Sequence, residues 1–245
     1  MAVLIRHVGD IHIEARPNFS LRAFHIGNAA FCLVQHIAGV QTDVWEFFVA
    51  AAAISHDAVL KLERLFDWQM QNEVGPYWQA TSAWLAQAAS EIMVCLELHP
   101  GVTVFTAASF EGLIPYVGRN IGINMDPSHF WWQGIDPITV IEALGDRIGY
   151  AHGKDTLLYP ERIRRQGVLH HAPPSDPDRA PWHFAPVGEG HDDATWLALL
   201  RALRRAGYDD VISIEHEDPR YAGEEGTARS FAGLKRVVEP SEKAR

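Results

Sequence analysis

Four short apolar runs in this chain each stop abruptly on a side chain that can bind or transfer a proton. Met93-Val-Cys-Leu leads to Glu97, Ile121-Gly-Ile-Asn-Met to Asp126, Ile148-Gly-Tyr-Ala to His152 and Val211-Ile-Ser-Ile to Glu215. Runs of this length, bounded by turn residues, read as buried strands. Glu97 to Asp126 is 29 positions and Asp126 to His152 is 26, about the length of one strand, crossover helix and strand, so the strands are expected to be parallel neighbours. That favours an α/β fold of the (β/α) TIM barrel type over a doubly wound sheet, which spacing alone does not exclude. No glycine-rich dinucleotide fingerprint is present.

Alternation along the second run puts Asp126 on the side of Asn124 and Gly122, with Ile121, Ile123 and Met125 facing the other way. A barrel strand covered by helices has this character when its last inward residue serves chemistry at the rim. Pro127 ends ladder pairing and returns His129 over that rim. Glu, Asp, His and Glu together are hard oxygen donors with one imidazole, a set suited to one Mn, Mg, Co or Zn ion in an open coordination. One carboxylate after a strand means little; four on successive strands form a pattern.

The formal charge of -10, from 21 basic and 31 acidic residues, argues against duplex binding, which rests on neutralising phosphates. Cys32 and Cys95 give neither a disulfide framework nor a zinc-ligand spacing, as expected of a reduced, cytoplasmic protein. No basic-then-apolar leader is evident, and the apolar run 47–54 falls short of the roughly 20 residues a bilayer span takes, so no membrane partner is expected.

At 245 residues, a single domain is expected over 1–245, with 1–65 divergent. In that front part Val3–His7 and Phe31–Val34 are candidate strands and Val44–Ala53 a candidate helix. From Asp67 the rhythm sharpens. Val74, Tyr77, Trp78, Thr81, Trp84, Leu85 and Ala88 recur at helical spacing, with Pro76 in the first turn. A second helix is expected from near Ser109 to Gly118, a third over Pro137–Leu144 closed by Gly145, and a fourth capped by Asp192 or Asp193. The fourth buries Trp196, Leu199, Leu200 and Leu203 and stops at Gly207. A last helix is expected over about 225–237. Between them Thr156–Gly190 carries Pro160, Pro173, Pro174, Pro177, Pro181 and Pro186 and reads as a long rim loop, a lid over the pocket.

Taken together, Leu96-Glu-Leu-His-Pro-Gly101, Asn124-Met-Asp-Pro-Ser-His129, His152-Gly-Lys-Asp155, Val187-Gly-Glu-Gly190 and Ser213-Ile-Glu-His-Glu-Asp218 resemble the sugar phosphate isomerase/epimerase family, the xylose isomerase-like TIM barrel group, over roughly 67–238. The resemblance implies a divalent metal held by Glu97, Asp126, His152 and Glu215, a substrate contact at His129, and a small sugar-like substrate. Glu97 and Glu215 are then the pair that removes and returns a proton beside a carbonyl, through an enediolate. Lys154 is placed to offset the developing charge, with a rim salt bridge to Asp155 as the alternative, and Trp131 and Trp132 either to stack on a sugar face or to pack the lid. His99 and His216 read as loop or supporting residues, and His170-His171 as exposed. The His-x-Lys-Asp pattern is also similar to the inosose dehydratase branch, which makes dehydration the alternative. An endonuclease IV-like repair enzyme would call for more histidines and a basic groove.

The front of the chain departs from the family's pattern. A full barrel places four units before the first metal glutamate; at about 30 residues each these need about 120, and 96 residues precede Glu97. An incomplete or atypical barrel is expected, from a divergent replacement or a shifted reading frame. An open strand edge would then favour a homodimer, and a non-catalytic barrel remnant is the rival reading.

Overall fold

The computed structural model describes residues 3–5, 62–169 and 175–242. They divide between two compact units, 62–123 on one side and 3–5 with 124–242 on the other.

The strands and helices in chain order begin with β1, Val3–Ile5, followed by α1, Leu62–Gln69. A π-helical turn, Met70–Val74, joins α1 to α2, Gly75–Ala88. Pro76 lacks the N–H that would continue the ladder, and the π turn lies just ahead of it. Helix α2 buries Gly75, Ser82 and Leu85 and leaves Tyr77 and Trp84 exposed. The face expected from aromatic spacing is therefore rotated. Its rotation is set by polar contacts: Ser82 Oγ donates to Asn120 Oδ1 at 2.6 Å and accepts from Gly118 N at 2.9 Å, while Asn120 Nδ2 donates to Ser82 O at 2.7 Å. Hydrophobic periodicity does not register such contacts.

Strand β2, Val94–Glu97, and helix α3, Ala107–Leu113, follow. Helix α3 starts before the expected Ser109, because Thr106 caps it in a reciprocal box with Ser109. Strand β3, Ile121–Met125, is buried throughout, and its first residues adjoin β2.

The other unit continues from the end of β3 through α4, Ser128–Trp131, and α5, Pro137–Leu144, capped by Asp136. Strand β4 is Ile148–Gly153, β5 Asp155–Leu158, α6 Pro160–Gln166 and β6 Trp182–Ala185. Helix α7 is Asp193–Arg205, β7 Ile212–Ile214 and α8 Gly223–Glu242. The hydrogen-bonded order is β1, β7, β4, β3. Strand β7 runs parallel to both flanking strands, with Ile212 opposite Val3 on one side and Ala151 on the other. Parallel strands separated by helices make the fold α/β. Trp196, Leu199, Leu200 and Leu203 of α7 are buried as expected, as are Val140, Ile141 and Leu144 of α5, the helix against which α7 packs. Burying one such aliphatic side chain is worth about 1.5–3 kcal/mol.

Part of the expected rim loop at 156–190 is regular structure. Strands β5 and β6 pair antiparallel, Asp155 opposite Ala185 and Leu158 opposite Trp182, with α6 between them. The prolines delimit these elements: Pro160 opens α6, Pro181 precedes β6 and Pro186 follows it. Strand β1 matches the start of the expected Val3–His7 strand; the other elements expected before Asp67, and His170-His171, lie outside the described residues. Among the described residues no helix is long and apolar enough to cross a membrane.

Candidate functional site

Within the unit formed by 124–242, three strand ends deliver their last polar side chains to one point. Asp126 follows β3, His152 lies at the end of β4 and Glu215 follows β7. One ligand atom from each lies within 4.8 Å of the others. His152 Nδ1 is 3.4 Å from Asp126 Oδ2 and 3.2 Å from Glu215 Oε2. Ser128 N donates to Asp126 Oδ1 at 2.9 Å, so the turn at Pro127 fixes the carboxylate. Asn124, two residues back on the same strand face, places its amide 3.3 Å from the His152 ring nitrogens.

Lys154 enters the same point from the β4–β5 junction. Its side chain is fully enclosed, and its ammonium lies 2.6 Å from Glu215 Oε2, 3.0 Å from Glu217 Oε2 and 3.1 Å from Asp126 Oδ2. The Phe184 ring underlies it at 4.4 Å, and the His129 ring meets Phe184 edge-on at 5.4 Å. His129 Nε2 is 3.5 Å from Asp126 Oδ2. Burial by itself pushes the Asp126 carboxyl up, but Lys154, His129 and His152 outweigh it and hold the group well below the usual carboxylate range.

These residues fit a divalent cation. Two ligands about 2.1 Å from a shared ion are separated by about 3.0 Å at octahedral and about 3.4 Å at tetrahedral angles, which brackets the 3.2 and 3.4 Å separations around His152. Asp126, Glu215 and Glu217 against Lys154 leave a formal charge of about -2, which a divalent cation would neutralise. Within this unit, Asp126, His152 and Glu215 are able to hold it.

The neighbouring scaffold is organised on Asp155, which is fully buried. Its Oδ2 accepts from the backbone N–H groups of Gly188, Gly190 and His191 at 3.0, 3.2 and 3.0 Å, and from Trp196 Nε1 at 3.0 Å. Its Oδ1 accepts from Thr156 N at 2.7 Å and lies 2.7 Å from His191 Nδ1. The Val187-Gly-Glu-Gly190 motif is the strap around this carboxylate. Glu189 at its tip reaches Arg220 at 3.0 Å and the Tyr221 hydroxyl at 3.2 Å.

Asp126, His129, His152, Lys154 and Glu215 are thus brought together in one unit. Glu97 ends β2 in the other unit and is buried there. Half-buried Trp131 stacks on His191 at 3.9 Å, and Trp132 is stacked on Trp182 at 4.5 Å. His99 Nδ1 lies 2.6 Å from the Pro100 carbonyl and His216 Nε2 3.3 Å from the Tyr221 carbonyl, both local loop contacts. Lys154 bonds Asp126, Glu215 and Glu217 while Asp155 serves the strap, so the alternative of a rim salt bridge between those two neighbours is not what forms. Glu217 and Phe184 went unnoticed in the sequence. Glu217 had a signal, since a residue two after Glu215 in an extended stretch shares its side.

The sequence signature of the xylose isomerase-like TIM barrel family matches residues 77–237. Among curated proteins the chain is similar to the uncharacterized protein YfiH of Bacillus subtilis (strain 168), at 29% identity over 177 residues, 72% of this chain and 56% of that one. It is also similar to an inosose isomerase of Bacillus velezensis, at 33% identity over 124 residues, 50% of this chain and 38% of that one. The chain spans about half the length of the curated relatives it matches. A solved xylose isomerase domain protein from Planctomyces limnophilus aligns with a TM-score of 0.48 at 22% identity, covering 67% of this chain and 52% of that one.

Proposed function

Since the chain belongs to the xylose isomerase-like TIM barrel family, we propose that it is a divalent-metal-dependent isomerase or epimerase of a small polyhydroxylated carbonyl compound. The observation that supports this reading is the convergence of Asp126, His152 and Glu215 at 3.2 and 3.4 Å around one imidazole nitrogen, with Lys154 among them. Glu97, at the end of β2, is proposed as the fourth ligand. When bound, the metal would polarise carbonyl and hydroxyl oxygens and lower the barrier to an enediolate. Glu215 removes the proton from the carbon beside the carbonyl, and Glu97 returns it on the neighbouring carbon or the opposite face. His129 hydrogen-bonds a substrate hydroxyl, and the Lys154 ammonium offsets oxyanion charge in an enclosed setting where that charge is costly. Trp131 lends the open part of its ring to the rim.

The test is proton exchange. The chain with manganese chloride is offered ketoses, aldoses and inososes in deuterated water, and label at the carbon beside the carbonyl is followed by NMR. Exchange with interconversion of two isomers is expected; no exchange on any member of the panel refutes the reading. One observation favours a dehydratase as the second reading. Lys154 Nζ lies 2.6 Å from Glu215 Oε2, an acid beside a base, as elimination of water from a hydroxy carbonyl compound requires. Loss of water from an inosose, read as a product 18 mass units lighter (about one water), would select it.

A further inference from the structure

Lys154 and the expected metal compete for the same atoms. Asp126 Oδ2 is the oxygen that faces both His152 Nδ1 at 3.4 Å and the Lys154 ammonium at 3.1 Å. Glu215 Oε2 likewise faces His152 at 3.2 Å and Lys154 at 2.6 Å. An ammonium has three N–H donors, and three carboxylate oxygens lie within 3.1 Å of it. The third belongs to Glu217, whose side chain is 26% exposed, against 1% for Asp126 and 10% for Glu215. Glu217 is the member of this cluster with room to move.

We propose that Lys154 competes with a divalent cation for Asp126 and Glu215, and that Glu217 is the positioning residue to which its ammonium withdraws when those two carboxylates ligate the cation. The inference rests on the reading that those residues hold such a cation. The lysine stem cannot leave altogether, because the next residue, Asp155, is fastened to the 186–191 strap. The Phe184 ring closes one side of the ammonium at 4.4 Å. An enclosed ammonium that gives up carboxylate partners carries a desolvation cost. With Glu217 present, Lys154 gives up two oxygens and keeps a third. Without it, the ammonium loses that acceptor, and its hold on the ligand oxygens opposes the metal. Glu217 then sets both metal affinity and the direction in which a released Lys154 donor meets a substrate oxygen.

The experiment is a titration of manganese chloride into the full chain by calorimetry, with wild type, Lys154→Met, Glu217→Gln and the double variant. Melting curves first establish that each is folded; Lys154→Gln replaces Lys154→Met should the latter fail to fold. Lys154→Met is expected to tighten manganese by about tenfold or more, since it removes both a competitor and a like charge. Glu217→Gln is expected to weaken it by about tenfold, and this loss should shrink to about twofold or less in the Lys154→Met background. An unchanged or weaker affinity in Lys154→Met overturns the proposal. So does an equal loss from Glu217→Gln in both backgrounds, which would mean that Glu217 acts on the cation directly. A wild-type chain that takes up no manganese overturns the metal reading itself, and this inference with it.

Discussion

Replacing Asp155 should cost more stability than an ordinary substitution, and the loss can be built from its partners. In Asp155→Ala the Thr156 N–H and the Trp196 indole, both buried, lose an acceptor, at about 1–2 kcal/mol each. The backbone N–H groups of Gly188, Gly190 and His191, and the His191 ring, are only part-buried. Water replaces the carboxylate there, for about 0.5 kcal/mol each. The total is about 4–6 kcal/mol, beyond what most single changes do. Asp155→Asn is the informative companion. With its carbonyl placed where Oδ2 was, asparagine keeps Gly188, Gly190, His191 N and Trp196, and surrenders mainly the Thr156 N–H, about 1–2 kcal/mol. Urea unfolding followed by tryptophan fluorescence reads both as midpoint shifts at constant slope. An alanine variant within about 1 kcal/mol of wild type, or an asparagine variant as damaged as alanine, refutes the idea that this carboxylate ties down the strap.

Glu215→Gln and Glu97→Gln should each lower deuterium exchange into substrate by at least about a hundredfold, because glutamine keeps size and loses basicity; exchange at the wild-type rate in the Glu215→Gln protein would exclude it as the base. Cys95→Ala, whose thiol is half-buried, should leave that rate within about twofold, since no proton transfer is assigned to it. Gly190→Ala should destabilise by about 1–3 kcal/mol, because a methyl there would meet the Thr156 carbonyl and lie 2.7 Å from Asp155 Oδ1; an unshifted urea midpoint counts against this packing. Burial holds the His183 imidazole below its ordinary 6.5, against the pull of Asp218 and with help from Arg220 and Arg162. The unfolded chain therefore takes up this proton first, and stability falls as pH drops below about 6.5, by up to about 1.4 kcal/mol per unit until the folded pKa is passed; a wild-type minus His183→Phe difference that is flat from pH 8 to 5 would refute it.

What the sequence disclosed and what it hid follow from range. Strand ends at Asp126, His152 and Glu215 were legible because a short apolar run and its terminal polar residue are adjacent in sequence. Helices α5 and α7 were legible for the same reason: Asp136 and Asp192 cap them, and apolar residues follow at helical spacing. The rotation of α2 was hidden because it hangs on Ser82 meeting Asn120, 38 residues away. Glu217 was hidden because a glutamate after a glutamate on a rim looks like a solvated charge, and its meaning depends on Lys154, 63 residues earlier. The β5–β6 hairpin was hidden behind its prolines, which read as a loop when counted and as boundaries when placed.

The stretch His152 to Asp155 explains how the site and its scaffold stay in register. Side chains alternate along an extended chain, so His152 and Lys154 face the carboxylates while Gly153 and Asp155 face away. The rear face is fixed twice. At Gly153 an added methyl would lie 2.8 Å from Leu234 Cδ1 of α8 and 3.1 Å from Ile212 Cγ2 of β7, so the strand is seated directly against both. At Asp155 the strap and the Trp196 indole hold the carboxylate. A slip of one residue would turn the imidazole and the ammonium into the helix layer and bring a buried carboxylate to the ligand cluster. That exchange carries a cost on both faces at once, from lost packing behind and unpaired charge in front. The alignment that the proposed metal site needs is therefore supplied from behind the strand, by residues outside the cluster of Asp126, His152, Lys154 and Glu215.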